Sequence, residues 1–83
     1  MEFEIYIKDN CFLPDNTNIK INTKVFFKNT DSIRHTIHCN GHAYFPSLII
    51  EAGHTAVFNF EKPGRYEISE AILGDMKVGN IVK

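Results

Sequence analysis

Thr55-Ala56-Val57-Phe58-Asn59-Phe60, the turn Lys62-Pro63-Gly64, and Arg65-Tyr66-Glu67-Ile68-Ser69-Glu70 form the stretch whose reading decides the fold. Ala56, Phe58 and Phe60 alternate with Thr55, Val57 and Asn59, a period of two that lays one face of a strand on an apolar core. After Pro63 and Gly64 turn the chain, Tyr66, Ile68 and Glu70 repeat the alternation, so the segment reads as a β-hairpin. The same period extends to the amino terminus. Phe3, Ile5 and Ile7 share a face of a first strand, Ile19 and Ile21 of a second, and Val25, Phe27 and Asn29 of a third. His35, Ile37 and Cys39 line one side of a fourth strand and Thr36 and His38 the other, with Asn40-Gly41 as a hairpin signal at its end. Gly79 to Lys83 supplies the last strand. Helical period is confined to one candidate turn at Ser69 to Leu73. Six to eight short strands without a repeat or linker predict a single domain over residues 1–83, an all-β Greek-key sandwich.

Composition narrows the function. Hydrophobic residues make up 43% of the chain and charged residues 23%, with seven Phe and three Tyr, which describes a packed core rather than a disordered segment. A net charge of -1, from nine basic and ten acidic side chains, gives no electrostatic basis for nucleic acid or an anionic membrane as partner. No apolar run approaches a membrane span, and strand-like sequence begins directly after Met1. No targeting segment is expected, so the chain is cytoplasmic as written or extracytoplasmic after loss of a leader. The spacing of Cys11 and Cys39 does not demand a disulfide, and both are read as free thiols. No nucleophile has a base and an orienting group at motif spacing, and no phosphate-binding glycine loop occurs, so a non-enzyme is expected.

An ordered set of fragments resembles the plastocyanin and amicyanin branch of the cupredoxins. It comprises Phe12-Leu13-Pro14 with Ile19 and Ile21, Val25-Phe26-Phe27-Lys28-Asn29, Arg34-His35-Thr36-Ile37, Phe45-Pro46-Ser47, Glu51-Ala52-Gly53, Phe58-Asn59-Phe60, Pro63-Gly64-Arg65-Tyr66, and Met76 with Gly79-Asn80-Ile81-Val82. The resemblance covers nearly the whole chain and implies the cupredoxin fold and a copper site. In the family a His opening the fourth strand, and a later Cys, His and Met, bind copper. His35 matches the first His and Met76 the axial Met, but Glu70 stands at the Cys position and Leu73 at that of the second His. A blue centre requires two imidazoles and a thiolate, so an ordinary type 1 site is not expected.

Three groups of residues remain candidates for metal. The first is His35, Glu70 and Met76, where imidazole and carboxylate suit copper(II) or zinc and the thioether favours copper(I); its alternative is an internal His35-Glu70 ion pair with Leu73 and Met76 as packing. The second, implied by the family fold, gathers Cys11, His35, His54 and Met76 as a soft copper(I) cluster, against a buried Cys11 and a solvated His54. The third is His38-Cys39-Asn40-Gly41-His42, in which strand alternation aims His38 outward and Cys39 inward, away from a shared ion.

The expected function is a cupredoxin-like domain that carries or senses copper, or another transition metal such as zinc, through His35, Glu70 and Met76. One alternative is a metal-free interaction module with a protein partner at the His35 end. Another is an electron-transfer protein with Cys11 as a relocated thiolate.

Overall fold

The computed structural model describes residues 1–9, 11–14, 16–40, 46–70 and 77–82. Alternating sequence becomes strand throughout: β1 (Glu2–Lys8), β2 (Cys11–Leu13), β3 (Asn16–Ile19), β4 (Thr23–Asn29), β5 (His35–Asn40), β6 (Leu48–Ile50), β7 (Thr55–Phe60), β8 (Gly64–Glu70) and β9 (Lys77–Val82). They form two sheets, β2-β1-β4-β7 and β3-β9-β8-β5-β6. β1 pairs with β4 in parallel, as β3 does with β9, and the other neighbours are antiparallel. The fold is an all-β sandwich.

The inward positions of both sheets meet in one core. Ile5, Ile7, Phe12, Val25, Phe27 and Phe60 come from the four-stranded sheet, and Ile19, Ile37, Ile50, Tyr66 and Ile68 from the five-stranded sheet; all are buried. Fully burying a side chain of this kind contributes roughly 1.5–3 kcal/mol, so these eleven positions supply most of the driving force. Phe60 sits between Phe58 and Tyr66, with ring centroids 4.8 Å apart in both pairs and edge-to-face geometry. The Phe60–Tyr66 contact joins the two sheets across the interior.

Five sequence expectations change. Lys62-Pro63-Gly64 does not close a hairpin: β7 belongs to one sheet and β8 to the other, so the turn carries the chain between layers. Tyr66 secures that crossing by donating its hydroxyl hydrogen to the Lys62 carbonyl at 2.8 Å. Ile21 does not follow Ile19 into a strand; β3 ends at Ile19 and Ile21 is exposed at the turn into β4. The strand count rises to nine among the described residues because Cys11–Leu13 and Asn16–Ile19 are separate short edges of different sheets. Ser69 and Glu70 are strand rather than helix, and β9 begins at Lys77 rather than Gly79. The Asn40-Gly41 turn, Leu73, Met76 and Lys83 involve positions outside the described residues.

Candidate metal centre

Asn29 is the residue from which the site is built. Alternation along β4 turns it inward after Val25 and Phe27, and at 1% exposure its amide must find partners inside the protein. Nδ2 donates to the Ile33 carbonyl at 2.8 Å and the Ile50 carbonyl at 2.9 Å, while Oδ1 accepts from the Asp31 amide at 3.0 Å. The Asn29 main chain also accepts from the Gly53 amide and donates to the His54 carbonyl, each at 2.9 Å. One side chain and its backbone therefore pin the 30–34 loop and the 51–54 turn to the end of β4. Thr30 ties the same loop to the Ile7 carbonyl through its amide at 2.8 Å and its hydroxyl at 2.7 Å.

This scaffold leads the chain into β5 with His35 first, paired across the ladder with Ile50 and fully buried. Its ring lies between two carboxylates: Nδ1 is 3.0 Å from Glu70 Oε2, and Nε2 is 2.8 Å from Asp31 Oδ2. Glu70, the last residue of β8, is 2% exposed and also accepts from the Thr36 amide at 3.4 Å. Asp31 in turn accepts from the Asp9 amide at 2.6 Å, which joins the β1–β2 turn to the site. Burial, the largest influence on His35, opposes its charge. The hydrogen bonds and charges of Glu70 and Asp31 outweigh it and raise the imidazole above its ordinary titration range.

The sequence expectation joins His35 to Glu70, and the structure brings these two together; Met76 lies outside the described residues. Asp31 is the participant that sequence reasoning missed. The available signal was Asn29, a polar side chain on an inward position whose amide must capture the loop that follows, four residues of which separate it from Arg34. The Cys11, His35 and His54 grouping is not assembled: Cys11 and His54 are exposed, whereas His35 is enclosed. Cys39 is a half-buried thiol outside any disulfide, opposite Ile68 across the ladder, and burial raises its pKa, which favours the protonated form over a ligating thiolate. It lies four residue steps along the strand from His35, roughly 13 Å. His38 is half-buried on the opposite strand face from Cys39, and His42 lies outside the described residues. Among the described residues, no group of three or more His, Cys, Asp or Glu side chains is arranged to hold one metal ion. The carboxylates of Asp31 and Glu70 stand on opposite edges of the imidazole.

Comparison with solved structures yields close superpositions over essentially the whole chain. The copper-containing nitrite reductase of Thermus scotoductus SA-01 matches with a TM-score of 0.86 and 22% identity over 100% of this chain. A copper(I) form of an amicyanin variant matches with a TM-score of 0.86 and 14% identity over 98%, and another with 0.87 and 14% over 99%. The fold is cupredoxin-like. The chain spans 22% of the nitrite reductase and 81–82% of these amicyanins. No protein-family model matches the sequence, and no characterised protein matches it by sequence alone.

The donor chemistry decides what this version of the pocket fits. Without a thiolate beside His35, it does not fit a blue copper centre. Imidazole and carboxylate are donors of the kind copper(II) and zinc accept, and Nδ1 and Oε2 lie 3.0 Å apart, a hydrogen-bond distance.

Proposed function

We propose that the chain is a cupredoxin-like metal carrier or sensor whose pocket holds copper(II) or zinc in competition with a proton. The single observation that carries this reading is the buried 3.0 Å approach of His35 Nδ1 to Glu70 Oε2. When His35 gives the hydrogen on Nε2 to Asp31, Nδ1 presents a lone pair to a carboxylate oxygen, and two acceptors at that distance require a shared cation. A proton meets the need in the metal-free protein. A transition metal meets it by displacing that proton, with Asp31 then acting as the carboxylate that orients a ligating His through its other ring nitrogen.

His35 and Glu70 are the ligands within the described residues, and the family register offers Met76 as the third. A bound ion would supply Lewis acidity and, for copper, a redox couple, but the missing thiolate argues against blue electron transfer. The role we assign is binding rather than catalysis. The nitrite reductase is several times longer than this chain, and its activity is not carried over.

Titration of the purified chain with copper(II) and with zinc, followed by heat and absorbance, tests the reading. Saturable uptake of one ion at micromolar affinity or tighter, with pale colour at most and complete loss in His35→Ala, is expected. Affinity falls with pH through the raised His35 titration, because the proton and the metal compete for Nδ1. Absence of uptake at micromolar concentration, or uptake unchanged in His35→Ala, overturns it and leaves a metal-free interaction module.

A further inference from the structure

Four strands stand at sheet edges: β2 and β7 in one sheet, β3 and β6 in the other. Proteins guard edges by keeping them short or by placing Lys, Pro or a bulge on them. β2 and β6 have three residues and β3 has four. β7 has six, Thr55-Ala56-Val57-Phe58-Asn59-Phe60, with neither charge nor proline. It is the unguarded edge among the described residues.

The free side of β7 follows from its ladder with β4. The Asn29 amide donates to the His54 carbonyl, and the Asn22 amide to that of Phe60. Alternation therefore directs the amides and carbonyls of His54, Ala56, Phe58 and Phe60 toward β4, and those of Thr55, Val57 and Asn59 away from it. Val57 is also 49% exposed on the outer sheet face, next to half-buried Phe26 across the ladder.

We infer that β7 is a self-association edge, pairing antiparallel with β7 of a second copy about a two-fold axis at Val57. This register uses the entire free edge. Val57 faces the second copy's Val57 and Thr55 faces the second copy's Asn59, so every outward donor finds an acceptor, with about six hydrogen bonds in all. One pair of opposite formal charges, Lys62 and Glu51, is brought together as well. Glu61 comes to face the second copy's Gly53, beside its His54, and Lys62 faces the second copy's Ala52, beside its Glu51. Two four-stranded sheets become one eight-stranded sheet, and the exposed Val57 side chains become cross-strand neighbours. The inference does not rest on the proposed metal site, whose residues His35 and Glu70 belong to β5 and β8 rather than to this edge.

Sedimentation of the full chain up to millimolar concentration, together with amide hydrogen exchange, tests it. A concentration-dependent dimer is expected, with the Thr55, Val57 and Asn59 amides protected by ~100-fold or more over their rates in dilute monomer. Val57→Lys should remain monomeric with an unchanged far-ultraviolet circular dichroism spectrum, and Val57→Thr should still dimerise. A wild-type protein that stays monomeric, one that forms higher oligomers, or a dimer that survives Val57→Lys overturns the inference. Should Val57→Lys fail to fold, free exchange of those three amides in a wild-type dimer overturns it equally.

Discussion

His35 has both ring nitrogens facing carboxylates and no exposure to water. His35→Ala leaves Glu70 buried without its cation and should cost about 3–5 kcal/mol of stability, read from urea unfolding. Glu70→Gln keeps the side-chain shape while removing one of the two charges that hold the imidazolium. The His35 titration, followed by NMR of the ring protons, should move downward in that variant; an unchanged titration would show that Glu70 does not set it. Part of this site was legible in sequence. Strand alternation put Glu70 on the same inward face as Tyr66 and Ile68, where a carboxylate needs a partner, and the cupredoxin resemblance put His35 within reach. Asp31 was not legible, because it sits in a loop whose path depends on hydrogen bonds from Asn29 rather than on a periodic pattern.

At the scale of elements, two anchors hold the His35 end of the sandwich. Asn29→Ala removes donors to the Ile33 and Ile50 carbonyls and the acceptor of the Asp31 amide. Leaving such buried groups unpaired should destabilise the protein by about 1–3 kcal/mol and weaken metal uptake, because the 30–34 loop carries Asp31; calorimetry and urea unfolding on one sample report both. Gly53 occupies the left-handed region at φ 77°, in a turn closed by the His54 amide donating to the Glu51 carbonyl at 2.9 Å. An added Cβ there meets nothing within 4 Å, so Gly53→Ala should cost only the conformational penalty, about 1–2 kcal/mol. A much larger loss in thermal unfolding would indicate packing around this turn that the structure does not contain. Strands of five or more residues were readable because alternation accumulates along them. The short β2 and the end of β3 were not, since three or four residues carry too little pattern to separate a strand from a turn. Pro63-Gly64 signalled a reversal correctly, but no local feature specifies whether the next strand joins the same sheet or the facing one.

The whole molecule inherits a pH dependence from the buried imidazole. The folded protein holds the His35 proton more tightly than the unfolded chain, whose imidazole titrates near about 6.5. The corresponding stabilisation is complete below that pH and is lost as pH rises through the raised folded value. Thermal unfolding of the metal-free protein should therefore show His35-dependent stability declining on the alkaline side, and His35→Gln should flatten that limb. On the proposed metal binding the trend should reverse, since an ion that binds only the folded form and displaces the proton stabilises more as pH rises. The global fold was legible because one ordered set of fragments spans the chain, from Phe12-Leu13-Pro14 to Gly79-Asn80-Ile81-Val82. The function was less so, because a cupredoxin-like fold does not by itself fix what its pocket between β5 and β8 binds. The most direct measurement is a copper(II) titration of the wild-type chain and of His35→Ala, at pH values on either side of the His35 titration, with heat and visible absorbance recorded together. Saturable uptake of one ion, stronger at the higher pH, without an intense charge-transfer band and absent in His35→Ala, is the predicted result. No saturable uptake, or an intense thiolate band lost in Cys11→Ser, would contradict the account.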